Sequence, residues 1–214
     1  PDSRYFPAER FRKALNEVLT ANPSDLFDYG ESRGYLPLRN IISNRLTLHG
    51  INTNADEIII TNGAQNAIDL LIKLLVKPGD RVFVESPSYG MMFPTLTFYG
   101  CKIVPIPMTN EGADLNILQT ELQKEAPAFF YTMPNFHNPT GVTTNQEYRE
   151  KLIALFEKFQ VPIIEDAFEE EMKYFGKVPL PIKSMDKNKI VIYVGSFSKI
   201  LFPGIRVGWI AASK

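Results

Sequence analysis

Along the chain the apolar positions switch between two periods. From Phe6 to Leu19 they recur at helical spacing (Phe6, Phe11, Leu15, Val18, Leu19), which predicts a helix ending near Pro23. A stretch rich in Gly, Ser and Tyr from Tyr29 to Tyr35 reads as an ordered loop, and a second helix runs from about Pro37 to Leu48. From Glu57 onward, short apolar runs and helical patterns take turns. Strands are predicted at Ile58–Ile60, Arg81–Glu85, Lys102–Ile106, Ala128–Thr132, Pro162–Glu165, Ile190–Val194 and Arg206–Ile210. Helices are predicted between them at Gln65–Leu75, Met91–Tyr99, Leu115–Leu122 and Tyr148–Phe159. Thr144 with Glu147 reads as a capping box for the last of these.

Apolar strands bounded by turn residues and separated by helices predict a three-layer α/β/α domain. Its seven-stranded sheet would be mainly parallel and covered on both faces. No internal repeat, low-complexity tract or linker interrupts the pattern. The 214 residues are 44% hydrophobic and 22% charged, enough for a sizeable core. Lys plus Arg (23) nearly balances Asp plus Glu (24), so no nucleic-acid footprint is expected from this segment. No run approaches the roughly 20 apolar residues that span a bilayer. A single cysteine, Cys101, fits a reducing, cytoplasmic setting. The chain opens on Pro1 and stops at Lys214 just after an apolar run, so a longer parent protein is expected.

In such sheets ligands sit beyond the carboxyl ends of the strands. After Ile60 comes Thr61-Asn62-Gly63-Ala64-Gln65 and at once a helix. A glycine there lets backbone approach a phosphate at a helix N-terminus, although by itself the segment reads first as a strand–helix turn that needed glycine. Tyr89 follows the next strand, as a ring able to stack on a flat ligand or as core packing. Asn138, in Asn138-Pro139-Thr140-Gly141, is either a rigidly presented amide or part of a turn. Asp166 ends a buried strand, where a carboxylate needs a cation or serves as a cap. Finally, Val194 runs into Gly195-Ser196-Phe197-Ser198-Lys199, with Arg206 seven residues on. A lysine delivered by an apolar strand can be desolvated, and a neutral amine is the nucleophile a Schiff base needs. Ser196 and Arg206 beside it suit an anion. His49 and His137 have no ligand-spaced partners, and no metal is expected.

The order Gly63-Ala64-Gln65, Tyr89, Asn138-Pro139-Thr140-Gly141, Asp166, Ser196-Phe197-Ser198-Lys199 and Arg206 resembles the class I/II aminotransferases, pyridoxal-phosphate enzymes of fold type I. The resemblance runs from about Phe6 to the last residue. It is closest to the α-aminoadipate/kynurenine subgroup and to the aminotransferase-like domain of MocR-type regulators; Val191–Trp209, with Phe202-Pro203-Gly204, fits both.

The resemblance implies that Lys199 forms the internal aldimine with pyridoxal 5′-phosphate and then moves a proton as base and acid. Asp166 would pair with the pyridine nitrogen, Asn138 with the ring's phenolic oxygen, and Tyr89 would stack on its face. Gly63, Ala64, Gln65, Ser196 and Arg206, assisted by Ser198, would hold the phosphate. Tyr29 would reach the phosphate of a neighbouring subunit, implying a homodimer. Where many of these enzymes have a Tyr three residues after the Asp, this chain has Glu169, with Phe168 before it. The implied plan has residues 1–35 as an N-terminal helix and dimer-facing loop (a partial arm) and residues 36–214 as the cofactor-binding large domain. The small domain with the substrate-carboxylate arginine would lie beyond Lys214. Amino-acid and 2-oxo-acid substrates follow for an enzyme. An effector-sensing domain of a MocR/GntR-type transcription regulator, or a lyase or decarboxylase of the same fold, are the other readings.

Overall fold

The computed structural model describes residues 6–21, 27–168 and 179–213. Its elements, in chain order, are α1 (Ala8–Ala21), α2 (Leu36–Leu48), β1 (Ile58–Thr61), α3 (Ala64–Leu75), β2 (Arg81–Ser86), α4 (Met92–Phe98), β3 (Lys102–Thr109), β4 (Gly112–Ala113), α5 (Leu115–Lys124), β5 (Phe130–Thr132), α6 (Gln146–Phe159), β6 (Ile163–Asp166), β7 (Val191–Ser196) and β8 (Gly208–Ala211). The strands form one sheet in the order β1-β8-β7-β6-β5-β2-β3-β4. The pairs β7–β6, β6–β5, β5–β2 and β2–β3 are parallel, while β8 runs antiparallel to both its neighbours.

The sheet has eight strands rather than the expected seven. The additional β4 is a two-residue edge pairing antiparallel with the end of β3. So short a segment leaves no period to read in the sequence. The last strand also starts later than expected, at Gly208, because Arg206 adopts a left-handed conformation (φ 52°) that breaks the extension.

Consecutive residues of the central strands face opposite layers. Phe83, Phe130 and Ile163 join a core with Leu118 and Leu122 of α5 and Leu152 and Phe156 of α6. Val82, Val84, Phe129, Tyr131 and Ile164 join another with Ala67, Ile68 and Ile72 of α3 and Met92 and Leu96 of α4. Burial on both faces is why these strands read as continuous apolar runs. Each such side chain contributes on the order of 1.5–3 kcal/mol of transfer free energy. Helix α2 covers the β1–β8–β7 side of the sheet through Ile42 and Leu46, which pack with Ile58, Tyr193 and Trp209.

Two helix starts depend on side-chain caps. Asp114 accepts from the amides of Asn116 and Ile117 at the head of α5. At α6 the cap is Asn145, which accepts from the Tyr148 amide, not the expected Thr144. Thr144 is buried and committed elsewhere, its hydroxyl donating to Pro134 O and accepting from Arg149 Nε. Glu147 pairs with Lys151 instead of closing a box. Helix α1 forms as expected, but its apolar stripe (Phe11, Leu15, Val18, Leu19) is exposed. It touches the rest of the chain through Phe6 and Phe11, whose rings lie 4.6 and 5.3 Å from that of Phe202. Pro23, the expected helix stop, lies outside the described residues.

Candidate cofactor site

Because β1 and β7 both run antiparallel to β8, they point the same way as β2, β5 and β6. With β3, which is parallel to β2, six carboxyl ends therefore share one edge, and β8 begins there. Along that edge lies a cavity of about 250 Å³, lined by Ala64, Gln65, Tyr89, Asn138, Asp166, Ser196, Ser198, Lys199 and Arg206. Residues named from the order of motifs thus converge from segments spread over more than a hundred positions. Ile68, Phe168 and Pro203 complete the wall.

One end of the cavity is built for an anion. Gly63 precedes the first residue of α3 with φ 87° and no side-chain cap, so the first-turn amides of this 12-residue helix point outward with the positive end of its dipole. A Cβ on Gly63 would lie 2.5 Å from Arg206 Nη2, and one on Gly208 would lie 2.6 Å from the Gly63 carbonyl carbon. The two glycines let β8 and the arginine close onto the turn. Arg206 is anchored there by donating from Nη2 to Asn62 O at 3.0 Å. Ser196 Oγ accepts from the Ser198 amide at 3.1 Å, which curls the backbone after β7 back toward the cavity. Ser198 Oγ is buried without a hydrogen-bond partner in the structure, the condition of a hydroxyl that awaits a ligand oxygen.

Asp166, 3% exposed, stands at the end of β6. The phenol of Tyr131 donates to its Oδ2 at 2.6 Å. Burial, followed by the negative charge of Asp166, raises the Tyr131 phenol well above its ordinary value, so it stays the donor. Tyr89 is half-buried beside them. Burial pushes its phenol up, Asp166 adds to the shift and Arg206 opposes it, so the ring lies within the field of both.

The loop carrying Asn138 is tied down from behind. His137 donates its amide to Val142 O and accepts from the Gly141 amide, closing the turn around the cis Asn138–Pro139 bond. Its Nε2 lies 3.1 Å from Glu85 Oε2, with both groups buried, and its Nδ1 lies 2.9 Å from Thr140 Oγ1. Glu85 accepts hydrogen bonds from Thr132 Oγ1 and the Met133 amide. Arg149, fully buried, donates to Pro134 O, Asn135 Oδ1 and Leu180 O. His137, which has no ligand-spaced partners in the sequence, thus serves to shape the loop.

Two expected residues differ in placement. Lys199 is at the rim and exposed rather than desolvated by its strand, because β7 ends three residues earlier. Tyr29 is fully exposed and outside the cavity. Glu169 lies outside the described residues. Sequence reasoning missed Tyr131, whose partnership with Asp166 depends on which strands are neighbours.

With that geometry in hand, the likeness to known proteins is specific. A family model described as aminotransferase class I and II matches residues 2–214. The chain is 36% identical over 218 residues to aromatic-amino-acid aminotransferase 1 of Thermococcus litoralis, covering 99% of this chain and 52% of that protein. It is 38% identical over 205 residues to the uncharacterized HTH-type transcriptional regulator YdfD of Bacillus subtilis, covering 96% of this chain and 42% of the relative. Among solved structures it is similar to LysN, the α-aminoadipate aminotransferase of Thermus thermophilus, complexed with N-(5′-phosphopyridoxyl)-L-leucine. There the TM-score is 0.90 at 32% identity, covering all of this chain and 54% of that one. The chain therefore spans about half the length of the relatives it matches. It belongs to the class I and II aminotransferase family.

Proposed function

We propose that this chain is the cofactor-binding large domain of a pyridoxal-phosphate-dependent aminotransferase. The observation that carries the reading is the cavity in which an anion cradle, an aromatic face, an amide, a buried carboxylate and a lysine meet. When bound, pyridoxal phosphate supplies a carbonyl that takes up the amino group and a ring that accepts electrons. The residues present fit it. The α3 N-terminus, Ser196, Ser198 and Arg206 would bind the phosphate. Tyr89 would cover one ring face and exclude water, and Asn138 would orient the ring through its phenolic oxygen. Asp166 would hold a proton at the ring nitrogen. Lys199 would anchor the carbonyl carbon and then move the proton at the substrate's Cα. Its exposed rim position leaves the amine reachable from the side on which substrate would enter. A 2-oxo acid would accept the amino group in the return half-reaction.

On this reading residues 36–214 are the large domain and residues 1–35 part of an N-terminal arm. A homodimer is supported by the exposed stripe of α1 and by the full exposure of Tyr29, poised for a neighbour's phosphate. No helix among the described residues is long and apolar enough to cross a membrane, which fits a cytoplasmic protein. A second reading, the effector-sensing domain of a MocR-type regulator, is favoured by the regulator YdfD among the relatives.

Adding pyridoxal phosphate, reducing with borohydride and mapping the peptides tests the site. The label is expected on Lys199 and should vanish in Lys199→Ala; a label that persists in the variant overturns the assignment. Supplying the full-length protein with an amino acid and a 2-oxo acid separates the readings. Many turnovers support the enzyme. An amino acid that alters DNA binding without turnover supports the regulator.

A further inference from the structure

Tyr131 reaches Asp166 by sheet geometry. In the parallel pair β5–β6, Tyr131 stands opposite Ile164, and Asp166 lies two residues further along the same face. That diagonal is long for small side chains but within the span of a tyrosine. The ring is fully buried, packed in the core with Ile68, Ile164 and Val194, so the hydroxyl is delivered from a fixed point. The carboxyl group it meets has a soft final torsion, broad and two-fold in aspartate generally. A rigid donor on one oxygen removes that freedom.

We propose that Tyr131 is a positioning residue for Asp166, setting the plane of its carboxyl group in the cavity through the 2.6 Å phenol hydrogen bond. The inference rests on reading Asp166 as the partner of the cofactor's ring nitrogen. The competing account is that a buried tyrosine simply needs an acceptor and takes the nearest one. The two accounts differ in what the bond does for a ligand. If it only satisfies the phenol, its loss acts on the fold and on every ligand alike. If it aims the carboxylate, its loss is felt only by a ligand that carries a ring nitrogen. The donor state does not change over ordinary pH, because burial keeps the phenol protonated.

The test compares dissociation constants of the full-length apoprotein for pyridoxal phosphate and for its 1-deaza analogue, which has carbon in place of the ring nitrogen. Tyr131→Phe is expected to weaken pyridoxal phosphate about tenfold, as for loss of one hydrogen bond to a charged group, and to leave the analogue unchanged. Equal weakening of both, or of neither, overturns the proposal. Should the phenylalanine variant fail to fold, Tyr131→Met is measured in the same way and judged by the same ratio. Asp166→Ala is the control. If it leaves the ratio of the two affinities at the wild-type value, the reading of Asp166 itself fails and Tyr131 falls with it. If it lowers the ratio while the Tyr131 variant does not, only the role of Tyr131 is lost.

Discussion

At the scale of single residues, the anion cradle turns on Gly63. Its φ of 87° with ψ of 170° is a region open essentially to glycine alone and costs an L-residue roughly 1–3 kcal/mol. The added Cβ would also press on the Arg206 guanidinium. That neighbour is the far end of a flexible side chain, so the collision is relieved by moving the arginine off Asn62 O rather than by unfolding. Gly63→Ala is therefore expected to cost about 1–3 kcal/mol of stability. Its larger effect falls on the site, with phosphate-bearing ligands weakened about tenfold. Equilibrium dialysis with pyridoxal phosphate reads the second effect, and wild-type affinity in the variant would refute the cradle. Gly63 and Arg206 were both legible in the sequence as pieces. Their contact was not, because it joins positions 143 apart in the chain.

Among elements, the helices show where local patterning suffices and where it is overridden. Asp114 is followed by an apolar helical period and does cap α5, with two amides bonded to one carboxylate oxygen. Asp114→Ala should lower stability by about 1 kcal/mol in denaturant unfolding, while Asp114→Asn, which keeps the acceptor, should stay close to wild type. Helix α6 is the contrary case. Thr144 has the right chemistry for a cap, but buried Arg149 claims its hydroxyl and Asn145 takes over the helix end. The β8 boundary moved for a similar reason. Arg206 leaves extended geometry where it meets the α3 turn, so an apolar period that includes Val207 does not become strand until Gly208.

For the molecule as a whole, the site is held by contacts that join distant segments. Arg149 on α6 binds the loop after β5 at Pro134 and Asn135, and also binds Leu180 before β7. Arg149→Met would fill similar volume yet leave several buried carbonyls short of a donor. A loss upward of about 3 kcal/mol is expected by thermal unfolding, together with weaker cofactor binding as the Asn138 loop loosens. A melting temperature unchanged by the substitution would show that the loop holds itself. The sequence by itself determined the alternation of strands and helices and the motif at each strand end, because a period and a turn are written in consecutive residues. It also determined the family resemblance that the order of those motifs carries. Only the tertiary structure decided that β8 runs against β7 and that β4 extends the edge. It alone placed His137 against Glu85 as a brace and Tyr131 on the carboxylate of Asp166. Those outcomes depend on strand order and register, which follow from how separate segments pack together and from no single stretch of chain.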